Sequence, residues 1–153
     1  MGGGAGTPDL LQRIEAGREG LAARIRGALD EYAFSNYAII LPRRLGEIAR
    51  EEAEAFLAFL SSGDAEAARQ RGRRLAQEGL GPRSVLALTE TIRQVGWESA
   101  NPEVELWPPL QEAIGRYTTA LLEGYMAGRE ESILEQQEKT RQALLRALQR
   151  SQG

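Results

Sequence analysis

The C-terminal part of the chain decides the fold, and its residues 110–150 read LQEAIGRYTTALLEGYMAGREESILEQQEKTRQALLRALQR. No proline interrupts these 41 residues, so we expect one continuous helix of about 60 Å at roughly 1.5 Å per residue. A domain of 153 residues has a radius of gyration of only about 15 Å. The first half of the helix is therefore predicted to pack in a bundle, and the second half to project from it.

The apolar residues of this helix become less dense after Gly128. Before it they are close enough for a core face, and after it they thin to one stripe with heptad spacing. Such a helix is not stable alone, so we expect it to pair with the same helix of a second chain in a parallel coiled coil. Polar Gln137 and Thr140 would fix the register of this pair. The predicted dimerisation residues are Gly124, Met126, Gly128, Ile133, Leu134, Gln137, Thr140, Leu144 and Leu148.

Small residues recur every four positions on the same helix, at Ala120, Gly124 and Gly128. A stripe of this kind lets a second helix approach closely. Two interpretations stay open from the sequence. The stripe either contacts another helix of the same bundle or makes a specific contact between two chains.

Prolines and capping residues mark where the earlier helices begin, because proline is best tolerated in the first turn of a helix. The first helix is predicted over about 8–30, although three glycines weaken it. Three more helices are predicted to begin at Pro42, Asp64 and Pro82. The segment Tyr32–Leu41 is ambiguous, and we predict either a helix or a buried connection there.

These elements predict an all-α fold of five helices, either globin-like or a simpler bundle, with a long C-terminal helix that forms a dimer stalk. The predicted organisation has three parts. Residues 1–7 form a flexible tail, residues 8–128 form the helical bundle, and residues 129–150 form the projecting coiled-coil helix.

The composition excludes several kinds of chemistry. The chain has no histidine and no cysteine, which excludes Cys–His zinc sites, histidine-dependent nucleophiles, His-ligated haem and disulfides. The net charge of −3 does not suit a general nucleic-acid binder, and no apolar stretch is long enough to span a membrane. We therefore predict a cytoplasmic protein without enzymatic activity or a cofactor, and without nucleic-acid or membrane contacts.

Two groups of charged residues are predicted to be solvated helix faces. Glu47, Glu51, Glu52 and Glu54 crowd the second helix, but carboxylate metal sites on helices normally also use histidine. The arginines concentrate around the third helix, where a protein partner or nucleic acid are the alternatives to a solvated face. These arginines are Arg69, Arg71, Arg73, Arg74 and Arg83, preceded by Arg43, Arg44 and Arg50.

Several aromatic residues, together with a polar neighbour that could orient a ligand, suggest a small-molecule pocket. The alternative is that these aromatic side chains belong to an ordinary core. The candidate ligand-binding residues are Tyr32, Phe34, Asn36, Tyr37, Phe56 and Trp97.

Two segments of the chain resemble a known family. Residues 68–93, ARQRGRRLAQEGLGPRSVLALTETIR, contain a charged helix, a break marked by glycine and a helix rich in leucine and isoleucine. This segment resembles the centre of the N-terminal sensory domains of RsbR-type stressosome regulators. Residues 122–148, LEGYMAGREESILEQQEKTRQALLRAL, resemble the signalling helix that joins such sensors to an output domain.

The resemblance implies a dimeric helical unit, which in some members is a haem-free globin fold. Its long helix passes a change of state to a STAS, kinase or other output domain. We therefore predict a bacterial sensory domain that dimerises and transmits a packing change, induced by a ligand or a partner, to a downstream output domain or protein. The alternative is a helical adaptor or structural protein whose C-terminal helix docks a different protein, with no small ligand.

Overall fold

The computed structural model describes residues 7–101 and 103–152. Within these residues there are six α-helices and two short 3-10 helices, and no strand, so the all-α prediction is confirmed. Most of the predicted tail, residues 1–6, lies outside the described residues. The helices are α1 Thr7–Ala16, α2 Arg18–Glu31, α3 Pro42–Ser62, α4 Ala65–Gln77, α5 Pro82–Ala100 and α6 Trp107–Gln152, and the 3-10 helices are Ala33–Ser35 and Val104–Leu106.

The first predicted helix is in fact two, so the prediction of five helices is wrong by one. The break lies at Gly17, whose ψ of 14° departs from helical geometry. Its N–H still donates to the carbonyl oxygens of Arg13 and Ile14, both at 3.1 Å. The chain turns here while the apolar side chains of both helices, including Ile14 and Leu21, stay buried in the same core.

The predicted starts of α3, α4 and α5 are confirmed. Pro42 and Pro82 occupy the first turns of α3 and α5, and Asp64 caps α4 by accepting a hydrogen bond from the Ala67 N–H at 3.1 Å. The long helix begins three residues earlier than predicted, at Trp107. Pro108 and Pro109 therefore lie in its first turn, where their missing N–H groups are not needed.

The connection between α2 and α3, Tyr32–Leu41, has no fully buried residue and half of its residues are exposed, which corrects the expectation of a helix or a buried connection. Only Ala33–Ser35 is helical, and the side chain of Ile39 is 98% exposed. The backbone is nevertheless anchored to the turn between α4 and α5. The Asn36 side chain accepts from the Gly81 N–H at 2.9 Å, and the Tyr37 N–H donates to the Gly79 carbonyl at 2.7 Å.

One hydrophobic core joins the helices. α2 packs against α3 and α5, α5 packs against α6, and α4 packs mainly along the first half of α6. α4 touches α3 at few points, so most of what holds α4 in place lies on α6. The globin-like arrangement of these helices stays a prediction.

Candidate functional site

The helices α4 and α6 cross with their backbones in contact. A Cβ atom on Gly72 would lie 1.9 Å from the Leu121 carbonyl oxygen, and one on Gly124 would lie 1.8 Å from the Arg69 carbonyl oxygen. A Cβ on Gly128 would come within 2.9 Å of the Arg73 carbonyl oxygen. Only glycine fits at such an approach.

The crossing of α4 and α6 shows what the small-residue stripe, Ala120, Gly124 and Gly128, contacts. Gly124 and Gly128 are buried and covered by α4 of the same chain. The interpretation as close contact within the bundle is therefore confirmed. Neither glycine is free to face a second chain, which corrects their place among the predicted dimerisation residues.

A buried ion pair joins α3, α4 and α6. Glu52 on α3 is 0% exposed, and the Arg71 Nε of α4 donates to its Oε1 at 2.6 Å. The Tyr117 hydroxyl of α6 donates to the other carboxylate oxygen at 2.5 Å. A buried carboxylate needs this pairing, because an unpaired charge in the core is strongly unfavourable.

A second group of charges continues from this pair toward solvent. The Arg44 guanidinium donates to three carboxylates, those of Glu47, Glu51 and Glu78, and so connects α3 to the end of α4. Arg71 also reaches Glu51, at 3.4 Å. Charged side chains therefore make many of the contacts between α3 and α4.

The prediction of solvated charged faces was wrong for Glu52, which is buried, and for Arg71 and Arg44, which are paired between helices. The physical reason is that each lies where its helix meets another helix. The remaining arginines of the basic group that are exposed, as predicted, are Arg43, Arg50, Arg69, Arg74 and Arg83.

The environment fixes the charge states of this cluster. Burial, and then the charge of Glu52, raise the pKa of the Tyr117 hydroxyl well above its ordinary value, so it stays a proton donor. Burial lowers the pKa of Arg71, but the charge and hydrogen bond of Glu52 together with the charge of Glu51 outweigh that effect, so the net change is upward. For Glu51, burial raises the pKa, and the hydrogen bond from Arg44 with the charge of Arg71 lowers it overall.

A second set of contacts holds α6 where it leaves the bundle. The Tyr125 hydroxyl donates to the Leu80 carbonyl at 2.6 Å, and burial raises the pKa of this hydroxyl to about 12. The Arg129 guanidinium lies 3.7 Å from the ring centre of Tyr37. Arg73 Nε lies 3.4 Å from a carboxylate oxygen of Glu131.

Beyond these contacts α6 is uncovered. Every residue from Ile133 to Gln152 is exposed, including the seam residues Gln137 and Thr140. The large apolar residues of the predicted seam are between 45% and 63% exposed; they are Met126, Ile133, Leu134, Leu144 and Leu148.

The six predicted ligand-binding residues do not surround one cavity. Phe56 is buried in the core with its ring 5.4 Å from that of Tyr117, and Trp97 stacks edge-on against Trp107 at 5.3 Å. Tyr32 and Phe34 form a tilted pair at 6.4 Å, Asn36 anchors its own connection, and Tyr37 lies against Arg129. They are dispersed because α3 faces the core at Phe56, whereas the connection lies on the surface.

The sequence reasoning missed the Glu52–Arg71–Tyr117 cluster, although one signal was present. Glu52 occupies a position in the apolar stripe of α3, between Ile48 and Phe56 at four-residue spacing on both sides. A charge inside such a stripe indicates a buried, paired group.

The family model for the RsbT co-antagonist protein rsbRD N-terminal domain matches residues 18–140. The chain belongs to this family. The match begins at the first residue of α2 and extends into the exposed part of α6, so this rsbRD-type domain includes the buried cluster and the start of the seam.

The family is one of stressosome-type signalling domains, a regulatory class and not a known family of enzymes. The resemblance seen in the sequence is therefore confirmed. No curated protein and no solved structure matches the chain. Among the helices described, none is long and apolar enough to cross a membrane, and residues 7–101 and 103–152 contain no group of acidic residues arranged to hold a metal ion.

Proposed function

We propose that this rsbRD-type domain is a non-enzymatic sensory unit that dimerises through α6 and passes a packing change along that helix to an output domain or protein. The proposal rests on one observation. The same helix is fixed by buried contacts along its first half and presents an uncovered apolar seam along its second half.

The exposed seam supports dimerisation. A single helix in water with a thin apolar stripe gains little from its own sequence and is stabilised by a partner that covers the stripe. Ile133, Gln137, Thr140 and Leu144 follow one another at spacings of four, three and four, which is the spacing of a coiled-coil seam. A second α6 in parallel orientation presents the same seam to the first.

The buried contacts support transmission. Tyr117, Gly124 and Tyr125 tie α6 to α3, to α4 and to the turn after α4. Because the backbones of α4 and α6 already touch, a ligand or partner that moves α4 relative to α3 must displace α6 as well. A helix carries that shift or rotation to its far end.

The experiment measures the absolute mass of the full chain by light scattering on a sizing column. We expect twice the monomer mass of 16.8 kDa for the wild type, and the monomer mass for Leu144→Glu, which places like charges opposite each other in the seam. Gln149→Glu is the matched control. It lies about 140° around the helix from Leu144 and is expected to stay dimeric.

Two outcomes would contradict the proposal. A wild type that is monomeric at all concentrations would assign the seam to a different protein, as in the adaptor interpretation. A Leu144→Glu variant that stays fully dimeric would show that α6 does not form the contact between chains.

A further inference from the structure

The connection between α2 and α3 carries an exposed apolar surface that the proposed function does not use. Phe34, Tyr37, Ile39 and Leu41 are 76%, 58%, 98% and 68% exposed. Their backbone is held against the turn after α4 through the hydrogen bond from the Tyr37 N–H to Gly79. This surface is therefore fixed in position, although the described chain leaves more than half of each of these four residues exposed.

A groove places this surface beside the seam of α6. The groove has a volume of about 900 Å³. Its bundle side includes Tyr37, Ala38 and Gly79, and its α6 side includes Ile133, Gln137 and Leu144. The Arg129 guanidinium, stacked on the Tyr37 ring, joins the two sides at the base.

We propose that residues 34–41, the bundle surface, form the second half of the homodimer interface, and that α6 of a second copy of this chain occupies the groove. The inference rests on the proposed function, which it extends from the stalk to the bundle. Tyr37 and Ala38 of the bundle surface line one continuous space with the seam, so a helix that covers the seam also meets these two residues, and Ile39 follows them directly in the chain.

The size of the groove suits a helix. A helix about 10 Å wide that rises 1.5 Å per residue occupies about 120 Å³ per residue, so the groove accommodates about two turns. The seam alone offers little apolar area, because polar Gln137 and Thr140 interrupt it. A stable contact buries about 800 Å² on each partner, and the bundle surface supplies the additional apolar area.

Charge supports the same occupant. The described residues that line the groove include Arg129 and Arg141 and no carboxylate. The segment 130–138 of α6 carries four glutamates. Glu131, Glu135 and Glu138 pair with cations of their own chain, Glu138 with Arg141 of the groove, so the match between two chains rests mainly on exposed Glu130 and on Arg129. In a two-fold symmetric dimer each chain provides both a groove and an α6, so the same contact forms at two symmetry-related sites.

The test compares Ile39→Glu with Val104→Glu in the full chain. The two substitutions add the same charge at exposed apolar positions, 98% and 58% exposed. Val104 precedes α6, at the opposite end of the bundle, since about 33 Å of helix separates the start of α6 from Arg129. Both variants are expected to keep the wild-type unfolding temperature, because neither side chain is buried within the chain.

The dimer dissociation constant is measured by sedimentation over a dilution series. We expect Ile39→Glu to raise it about tenfold or more and Val104→Glu to leave it unchanged. An unchanged constant for Ile39→Glu, with Leu144→Glu still monomeric, overturns the inference and leaves the stalk dimer intact. If Ile39→Glu dissociates the dimer and Leu144→Glu does not, the proposed coiled coil fails while the bundle surface remains an interface.

Discussion

The two halves of α6 belong to one unbroken helix but have opposite surroundings. From Leu110 to Gly128 the helix has a buried residue in every turn, and from Ile133 to Gln152 it has none. Both halves form the same secondary structure, so the difference lies in tertiary contacts. The comparison teaches that buried intrachain contacts fix the position of the first half, whereas no buried residue of the described chain fixes that of the second.

The polar groups of the two halves differ in the same way. In the first half, Tyr117 and Tyr125 donate to groups on other elements, Glu52 and the Leu80 carbonyl. In the second half the ion pairs are local and exposed, such as Arg141 with Glu138 at 3.0 Å. Exposed pairs of this kind contribute little to stability, so they support the helix without determining where it lies.

The largest expected effect comes from removing the buried cation Arg71, which pairs with the Glu52 carboxylate that Tyr117 of α6 contacts. Arg71→Met leaves the Glu52 carboxylate buried beside Tyr117 without its cation. We expect the free energy of unfolding to fall by about 3–5 kcal/mol, measured by urea denaturation. Arg74→Met is the control: Arg74 is exposed on the same helix, and its replacement should change stability by no more than about 0.5 kcal/mol. Equal effects of both substitutions would mean that the buried pair does not anchor α6.

A smaller effect is expected at the contact between backbones. Gly124→Ala places a Cβ 1.8 Å from the Arg69 carbonyl oxygen, so α4 and α6 must separate. The expected loss is about 1–3 kcal/mol in the free energy of unfolding. Gly115→Ala on the same helix meets nothing within 4 Å and is expected to stabilise the protein by about 0.5–1 kcal/mol. We expect a thermal melt to show a lower unfolding temperature for Gly124→Ala and a higher one for Gly115→Ala than for the wild type. A lower unfolding temperature for both variants would contradict the close contact as the cause.

The features that the sequence predicted correctly depend on short-range signals. Pro42, Pro82 and the Asp64 cap act within one turn, so the starts of three helices could be predicted. The continuity of α6 follows from the lack of any breaker in it. The family could also be recognised, because the segments that carry the resemblance, 68–93 and 122–148, are continuous stretches of the sequence that lie largely within the matched residues 18–140.

The features that were missed depend on contacts between distant residues. Gly17, Gly20 and Gly27 look alike in the sequence, yet the helix breaks only at Gly17. Glu52 and Arg71 are 19 positions apart on different helices, so their pairing could not be derived from either helix alone. The predicted ligand pocket combined residues by composition, and the fold places Phe56 in the core, Trp97 against Trp107, and the other four in the connection between α2 and α3.

The smallest expected effect on the bundle comes from interrupting the second half of α6. Gln137→Pro removes a helical hydrogen bond at a site where the surrounding residues are exposed. Below the concentration at which the proposed dimer forms, we expect the unfolding temperature of the bundle to stay that of the wild type, while circular dichroism shows a loss of helix. Gln137→Ala, which keeps the helix, should change neither signal. A fall of several degrees in the melting of Gln137→Pro would show that the projecting half belongs to the cooperative unit. In that case the two halves would differ only in exposure, and the projecting half would not be a part that folds independently of the bundle.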